Sequence, residues 1–173
     1  MSQWFMITLV GKDQTGIVAK ITTALFDNNC NLGEASMLRL GGNFTVMLMV
    51  SYDGKVQNLT TFLQPISDSL QLQLHIDAID GQLHHHQQPN LRIRVHGADR
   101  TGIVAQVTTA LAEVGFNILD LESDVGGTDN KPFYVVDIEG IATNGIEPVE
   151  TAMQGLLGNE IEIKLEPIET VMM

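Results

Sequence analysis

At 173 residues and a formal charge of −12, the chain is long enough for one domain or two small ones. It is too acidic for direct binding to nucleic acid or to an anionic membrane surface, since affinity for either rests on neutralising negative charge. Apolar residues at 44% exclude wholesale disorder, and the apolar stretches are only strand-sized, so no membrane-spanning helix is predicted. The single cysteine, Cys30, allows no intrachain disulfide and fits a reducing compartment. The N-terminal residues lack a basic n-region and a small-residue cleavage site, which predicts a cytoplasmic protein without a signal peptide.

Along the chain, Gln3 to Val10 is a nearly continuous apolar run of strand length. The loop Gly11-Lys12-Asp13-Gln14-Thr15-Gly16 follows, and then a helix. Ile17, Val18, Ile21, Ala24 and Leu25 fall at helical spacing, and Asn28-Asn29 offers a stop. Leu32 to Leu40 and Phe44 to Tyr52 read as a hairpin joined at Gly41-Gly42-Asn43. Val56, Leu59, Phe62, Leu63 and Ile66 form the apolar face of a second helix. Leu70, Leu72, Leu74 and Ile76 then alternate with Gln71, Gln73, His75 and Asp77 in a closing strand.

The same order then repeats. Residues 11–31 and 97–117 align without a gap at an offset of 86, with 12 of 21 positions identical. Leu91, Ile93 and Val95 alternate with Arg92 and Arg94. A helix carries Ile103, Val104, Val107, Ala110 and Leu111 and stops near Gly115. Ile118 to Val125 and Phe133 to Ile138 flank a loop over Gly126-Gly127-Thr128-Asp129-Asn130. Val149, Met153, Leu156 and Leu157 mark the second helix, and Ile161, Ile163 and Leu165 the last strand. The polar stretch around His84-His85-His86 separates the copies. This predicts one domain over 1–82, a linker over 83–89 and a second domain over 90–173.

Two βαββαβ units make the fold class α+β, a tandem of ferredoxin-like domains. Each has a four-stranded antiparallel sheet with two helices on one face. The other face stays bare. In the first copy the third strand is apolar on both sides, with Met47 and Met49 on one of them. That predicts burial of the helix-free face against the sister domain or another subunit, hence a homo-oligomer, or use of the methionines as a partner surface. Side-by-side pairing of units into an eight-stranded sheet is the other arrangement open to them.

Both copies carry Gly-x-Asp-x-Thr-Gly-Ile-Val between the first strand and the first helix. Thr15 and Thr101 are suited to cap their helices, whose first amides can take an anion such as a carboxylate. Asp13 or Asp99 can accept from an ammonium group, so the loop suits a zwitterion. Asn31 and Asn117 open the next strand and are expected to return beside the same loop. Turn and cap chemistry accounts for these residue types equally well. A phosphate-binding P-loop is excluded, because Ile17 and Val18 stand where Lys and Ser or Thr are required.

The element order, the loop motif and the junctions Asn31-Leu32 and Asn117-Ile118 resemble ACT domains, small amino-acid-sensing modules, over both copies. Two such units with nothing else resemble the glycine cleavage system transcriptional repressor family. The resemblance implies a sensor of a small amino acid, glycine first, that represses transcription by contacting a separate DNA-binding activator. It implies ligand contacts at Asp13, Thr15, Gly16 and Asn31 and at Asp99, Thr101, Gly102 and Asn117. The second copy is nearer the family pattern at Gly115-Phe116-Asn117-Ile118. The alternative is a regulatory subunit that binds an amino acid and controls a separate metabolic enzyme.

Nothing else in the sequence suggests chemistry. Adjacent histidines at 84–86 rarely form a defined metal site. Cys30 reads as a small semi-buried residue, and His75 and His96 as surface residues. Glu160, Glu162, Glu166 and Glu169 read as a solvated edge. No catalytic residues, cofactor or metal are expected.

Overall fold

The fold is described from a computed structural model over residues 2–80, 87–98, 102–128, 131–156 and 161–168. The chain divides into two compact units, residues 1–84 and 85–173. The first contains β1 (Gln3–Lys12), α1 (Ile17–Asp27), β2 (Asn31–Leu40), β3 (Asn43–Tyr52), α2 (Val56–Ser69) and β4 (Gln73–Ile79). The second contains β5 (Leu91–Ala98), α3 (Ile103–Glu113), β6 (Phe116–Thr128), β7 (Lys131–Ala142), α4 (Ile146–Gln154) and β8 (Ile161–Pro167). The sheets are ordered β2-β3-β1-β4 and β6-β7-β5-β8, antiparallel throughout. Both are the predicted ferredoxin-like βαββαβ arrangement.

Strand alternation decides the cores. Phe5, Ile7 and Leu9 on β1 and Val46, Leu48 and Val50 on β3 point to one face, and all are buried. Ile17, Ile21 and Leu25 from α1, with Leu59 and Leu63 from α2, close over them. In the second unit Leu91, Ile93, Val95, Val136 and Ile138 meet Ile103, Val107 and Leu111 of α3 and Val149 and Met153 of α4. The helix positions and the alternation of β5 are those whose spacing marked them as core, whereas β1 and β3 read as apolar on both sides.

Several element ends differ from the sequence expectation. The alternation from Leu70 becomes a strand only at Gln73. Leu70 caps α2, Gln71 takes a left-handed φ of 55°, and Leu72 is buried in the turn. The β6–β7 hairpin is longer than expected. Gly126 and Gly127 lie in β6, paired with Phe133 and Pro132, and β7 runs on to Ala142. Glycines that read as a loop are therefore ladder residues. Leu156 follows α4 rather than belonging to it. Leu157, Glu160 and Glu169, the loop residues Asp129 and Asn130, and 83–86 of the expected linker lie outside the described residues.

The helix-free faces of the two sheets have opposite chemistry. In the first, Met6 sits opposite Met49 and Thr8 opposite Met47, with Trp4 on the same face. In the second, the corresponding pairs are Arg92 with Glu139 and Arg94 with Asp137. Arg92 Nε donates to Glu139 Oε1 at 2.7 Å, and Arg94 Nε to Asp137 Oδ1 at 2.6 Å. Lys164 on β8 meets Glu166 at 2.5 Å. His75 and Asp77 on β4 lie on the same face of the first sheet, opposite Thr8 and Met6, so the contrast is confined to the pairing of the first and third strands, apolar in the first domain and charged in the second. No described helix is long and apolar enough to cross a membrane.

Candidate functional site

The loop between β1 and α1 is fastened on two sides. The Asp13 N–H donates to the Gly42 carbonyl in the β2–β3 turn at 3.2 Å. Gln14 Nε2 donates to the Leu70 carbonyl at the end of α2 at 2.9 Å. The helix then starts abruptly. Gly16 is the N-cap, with a φ of 89° that a side chain would strain, and its carbonyl accepts from the Lys20 N–H at 3.0 Å. Amides 17–19 have no partner within the helix. Thr15 was expected to cap α1 and does not, because the left-handed glycine takes that place and no side chain caps the helix. The second unit repeats the device with Gly102, φ 94°, and Gln106 N–H donating to its carbonyl at 2.9 Å. Asp99 and Thr101 lie outside the described residues.

In the first unit the loop opens onto a cleft of about 390 Å³ between α1 and the edge strand β2. Its polar rim includes Asp13, Thr15 and Arg39, and its apolar wall Val18, Met37 and Phe44. Met37 and Arg39 are on the helix-side face of β2, opposite buried Val46 and Phe44. The Arg39 guanidinium reaches the Asp13 carboxylate and forms an ion pair with it. One end of the cleft therefore presents a cation and an anion together, beside a helix start whose dipole favours negative charge. A wider groove of about 500 Å³ between α1 and α2, lined by residues such as Lys20, Asp27 and Ser69, lacks such a convergence.

Asp13, Thr15 and Gly16 are brought together. Asn31 is not with them. It pairs with Ser51, which pairs with Trp4 at the start of β1, while the loop leaves β1 after Lys12. At a strand rise of about 3.3 Å the eight steps from Trp4 to Lys12 span roughly 26 Å. The expectation that Asn31 returns beside its own loop is wrong, because β2 runs parallel to β1 and starts at the far end of the sheet. Asn117 is likewise remote from Gly102. It pairs with Ile141 near the start of β5, and its Nδ2 donates to Gln87 Oε1 at 3.3 Å.

Arg39 and Met37 were missed by sequence reasoning. The signal was present: a two-residue Gly41-Gly42 turn with φ values of 56° and 76° fixes Leu40 opposite Asn43 and Arg39 opposite Phe44. Phe44 is in turn paired with Gly11 at the mouth of the loop. Among the described residues, no group of three metal-ligating side chains converges. Cys30 is buried, and burial pushes its thiol pKa up, away from the reactive thiolate.

Comparison with known proteins places both halves in one family. ACT-domain models match residues 3–77 and 91–158. A UPF0237 protein of Corynebacterium diphtheriae is 32% identical over 63 residues, spanning 36% of this chain and 71% of that protein. A UPF0237 protein of Methanosarcina mazei is 35% identical over 63 residues, spanning 36% of this chain and 68% of its own length. Two crystal structures share the whole tandem fold. An unknown protein from Galdieria sulphuraria superposes with a TM-score of 0.75 at 24% identity, over 98% of this chain and 100% of its own. A candidate glycine cleavage system transcriptional repressor superposes with a TM-score of 0.68 at 18% identity, over 97% and 99%. With a matching model over each half and the βαββαβ sheet order in both, the chain belongs to the ACT-domain family and carries two ACT domains in tandem.

Proposed function

We propose that this chain is a cytoplasmic regulatory protein that senses a small amino acid, glycine first, and represses glycine cleavage transcription through a DNA-binding activator. The observation that carries this reading is the cleft at the β1–α1 loop, where an acidic side chain and unbonded helix amides converge within an ACT domain. The ligand carboxylate meets the backbone amides at Thr15-Gly16 and the first turn of α1, and the ammonium meets Asp13. Asp99, Thr101 and Gly102 supply the corresponding loop of the second domain. Asn31 and Asn117 belong to the other end of their sheets, so they serve a ligand only where the loop of another ACT unit reaches them.

The charge of −12 supports action through a partner, since direct affinity for nucleic acid rests on neutralising phosphate. The candidate repressor that shares the tandem fold supports the choice of glycine and of the operon. Self-association, if it uses an apolar sheet face, belongs to the Met6 and Met49 face of the first domain. The decisive measurement is calorimetry of the full chain against the common amino acids. Glycine has few atoms, and at a ceiling of about 1.5 kcal/mol per non-hydrogen atom its affinity falls in the micromolar to millimolar range. Absence of binding by every amino acid at millimolar concentration overturns the sensor reading. In the host, loss of the gene should release glycine cleavage transcripts from glycine control; an unchanged response overturns the repressor role.

A further inference from the structure

We infer that Arg39 reads the ligand's carboxylate in the first-domain cleft, and that its ion pair with Asp13 is the closed form of a zwitterion site. This rests on the amino-acid-sensing reading above and adds a residue, a ligand class and an asymmetry to it.

The two charges of an α-amino acid are separated by one carbon, so a contacting carboxylate and guanidinium can each take one of them after small side-chain rotations. Asp13 exchanges the guanidinium for the ligand ammonium, and Arg39 exchanges Asp13 for the ligand carboxylate. Both new bonds are charge-assisted, and the guanidinium can hold a carboxylate through two parallel N–H donors. The exchange is easy to start. The Arg39 side chain is 67% exposed and that of Asp13 25%, and an exposed ion pair holds itself together only weakly. When empty, the pair neutralises both groups, so the cleft does not accumulate simple ions. An amine alone or a carboxylate alone satisfies one partner and strands the other. The walls beyond the pair are Val18, Met37 and Phe44, which give a larger polar side chain nothing to bond.

The second domain lacks this reader. Arg39 lies opposite Phe44, and Phe44 opposite Gly11. In the second sheet the residue opposite Tyr134, itself opposite Gly97, is Val125. The same register position is thus a cation in one domain and an aliphatic side chain in the other. The loop motif is shared, but among the described residues the cation at this register position is present in the first domain only. The proposal therefore favours the first copy, although the second is nearer the family pattern at Gly115-Phe116-Asn117-Ile118.

The test is calorimetry of the full chain with glycine and with glycinamide, which keeps the ammonium but has no carboxylate. Wild type should prefer glycine. Arg39→Ala should weaken glycine by roughly tenfold or more and abolish the preference over glycinamide, while Arg39→Lys should restore part of both. Because Arg39 is exposed, an unchanged thermal midpoint is expected for each variant and separates recognition from folding. If wild type binds glycine and Arg39→Ala keeps the same affinity and preference, the role of Arg39 is overturned while amino-acid sensing stands. If wild type binds neither compound nor any other amino acid, both readings fall.

Discussion

Arg92 Nε donates to Glu139 Oε1 at 2.7 Å across the β5–β7 ladder, at the position where the first domain sets Met6 opposite Met49. The two domains share a core pattern and differ on this face.

The pair is partly exposed, so removing one member should lower stability only slightly, and Arg92→Met with Glu139→Met together should come close to neutral. A double-mutant cycle read by urea unfolding measures the coupling. A double variant less stable than either single one would contradict this account.

The ladder also sets a pH dependence. The hydrogen bond and charge of Lys164, with Arg94 and Arg92 farther off, hold the Glu166 carboxyl below the usual carboxylate range. Its folded pKa is depressed, so its contribution to stability is present above the unfolded pKa and disappears as pH falls through the folded one. Carboxyl-detected NMR titration should find Glu166 protonating at lower pH than an unpaired glutamate, and Lys164→Met should raise its midpoint.

Gly140 and Gly16 should respond to alanine for different reasons. A Cβ on Gly140 would come within 2.2 Å of the Asn117 carbonyl oxygen and within 2.8 Å of the Phe116 ring. Gly16 has open space, but its φ of +89° disfavours any side chain. Gly140→Ala should cost about 2 kcal/mol or more and Gly16→Ala about 1 kcal/mol, read by chemical unfolding. The reverse order would overturn the clash argument.

Cys30 should react slowly with a thiol reagent in the native protein and rapidly in urea, since burial both covers the sulfur and raises its pKa. Reaction at the rate of a free thiol at pH 8 would show that the end of α1 opens readily.

The isolated chain should give no mobility shift with DNA at about 0.15 M salt, a physiological ionic strength. Sequence-specific binding tighter than roughly micromolar would contradict the charge argument.

Periodicity made the helices, the core strands and the repeat legible, because each core position recurs at a spacing only one element type satisfies. Residues 70–72 were not legible, since Leu70 and Leu72 keep a strand's alternation while Gln71 turns left-handed between them. Gly126 and Gly127 read as a turn, although any glycine can stand in a ladder. At the site, Asp13, Thr15 and Gly16 were visible as a contiguous motif. Asn31 was misplaced because strand direction was left out of account. Arg39 escaped notice because its contact with Asp13 crosses between elements and depends on hairpin register.

Tandem copies whose first helices share seven of eleven residues risk exchanging strands during folding, the characteristic error of repeated domains. Here the exchange is penalised. If β1 entered the second sheet in place of β5, Met6 would lie against Glu139 and Thr8 against Asp137. The converse would put Arg92 against Met49 and Arg94 against Met47. With β1 in the second sheet, Glu139 and Asp137 lose the arginines that pair with them, whereas both correct pairings are matched. The two faces thus act as identity labels, letting each half of a duplicated chain recognise its own strands.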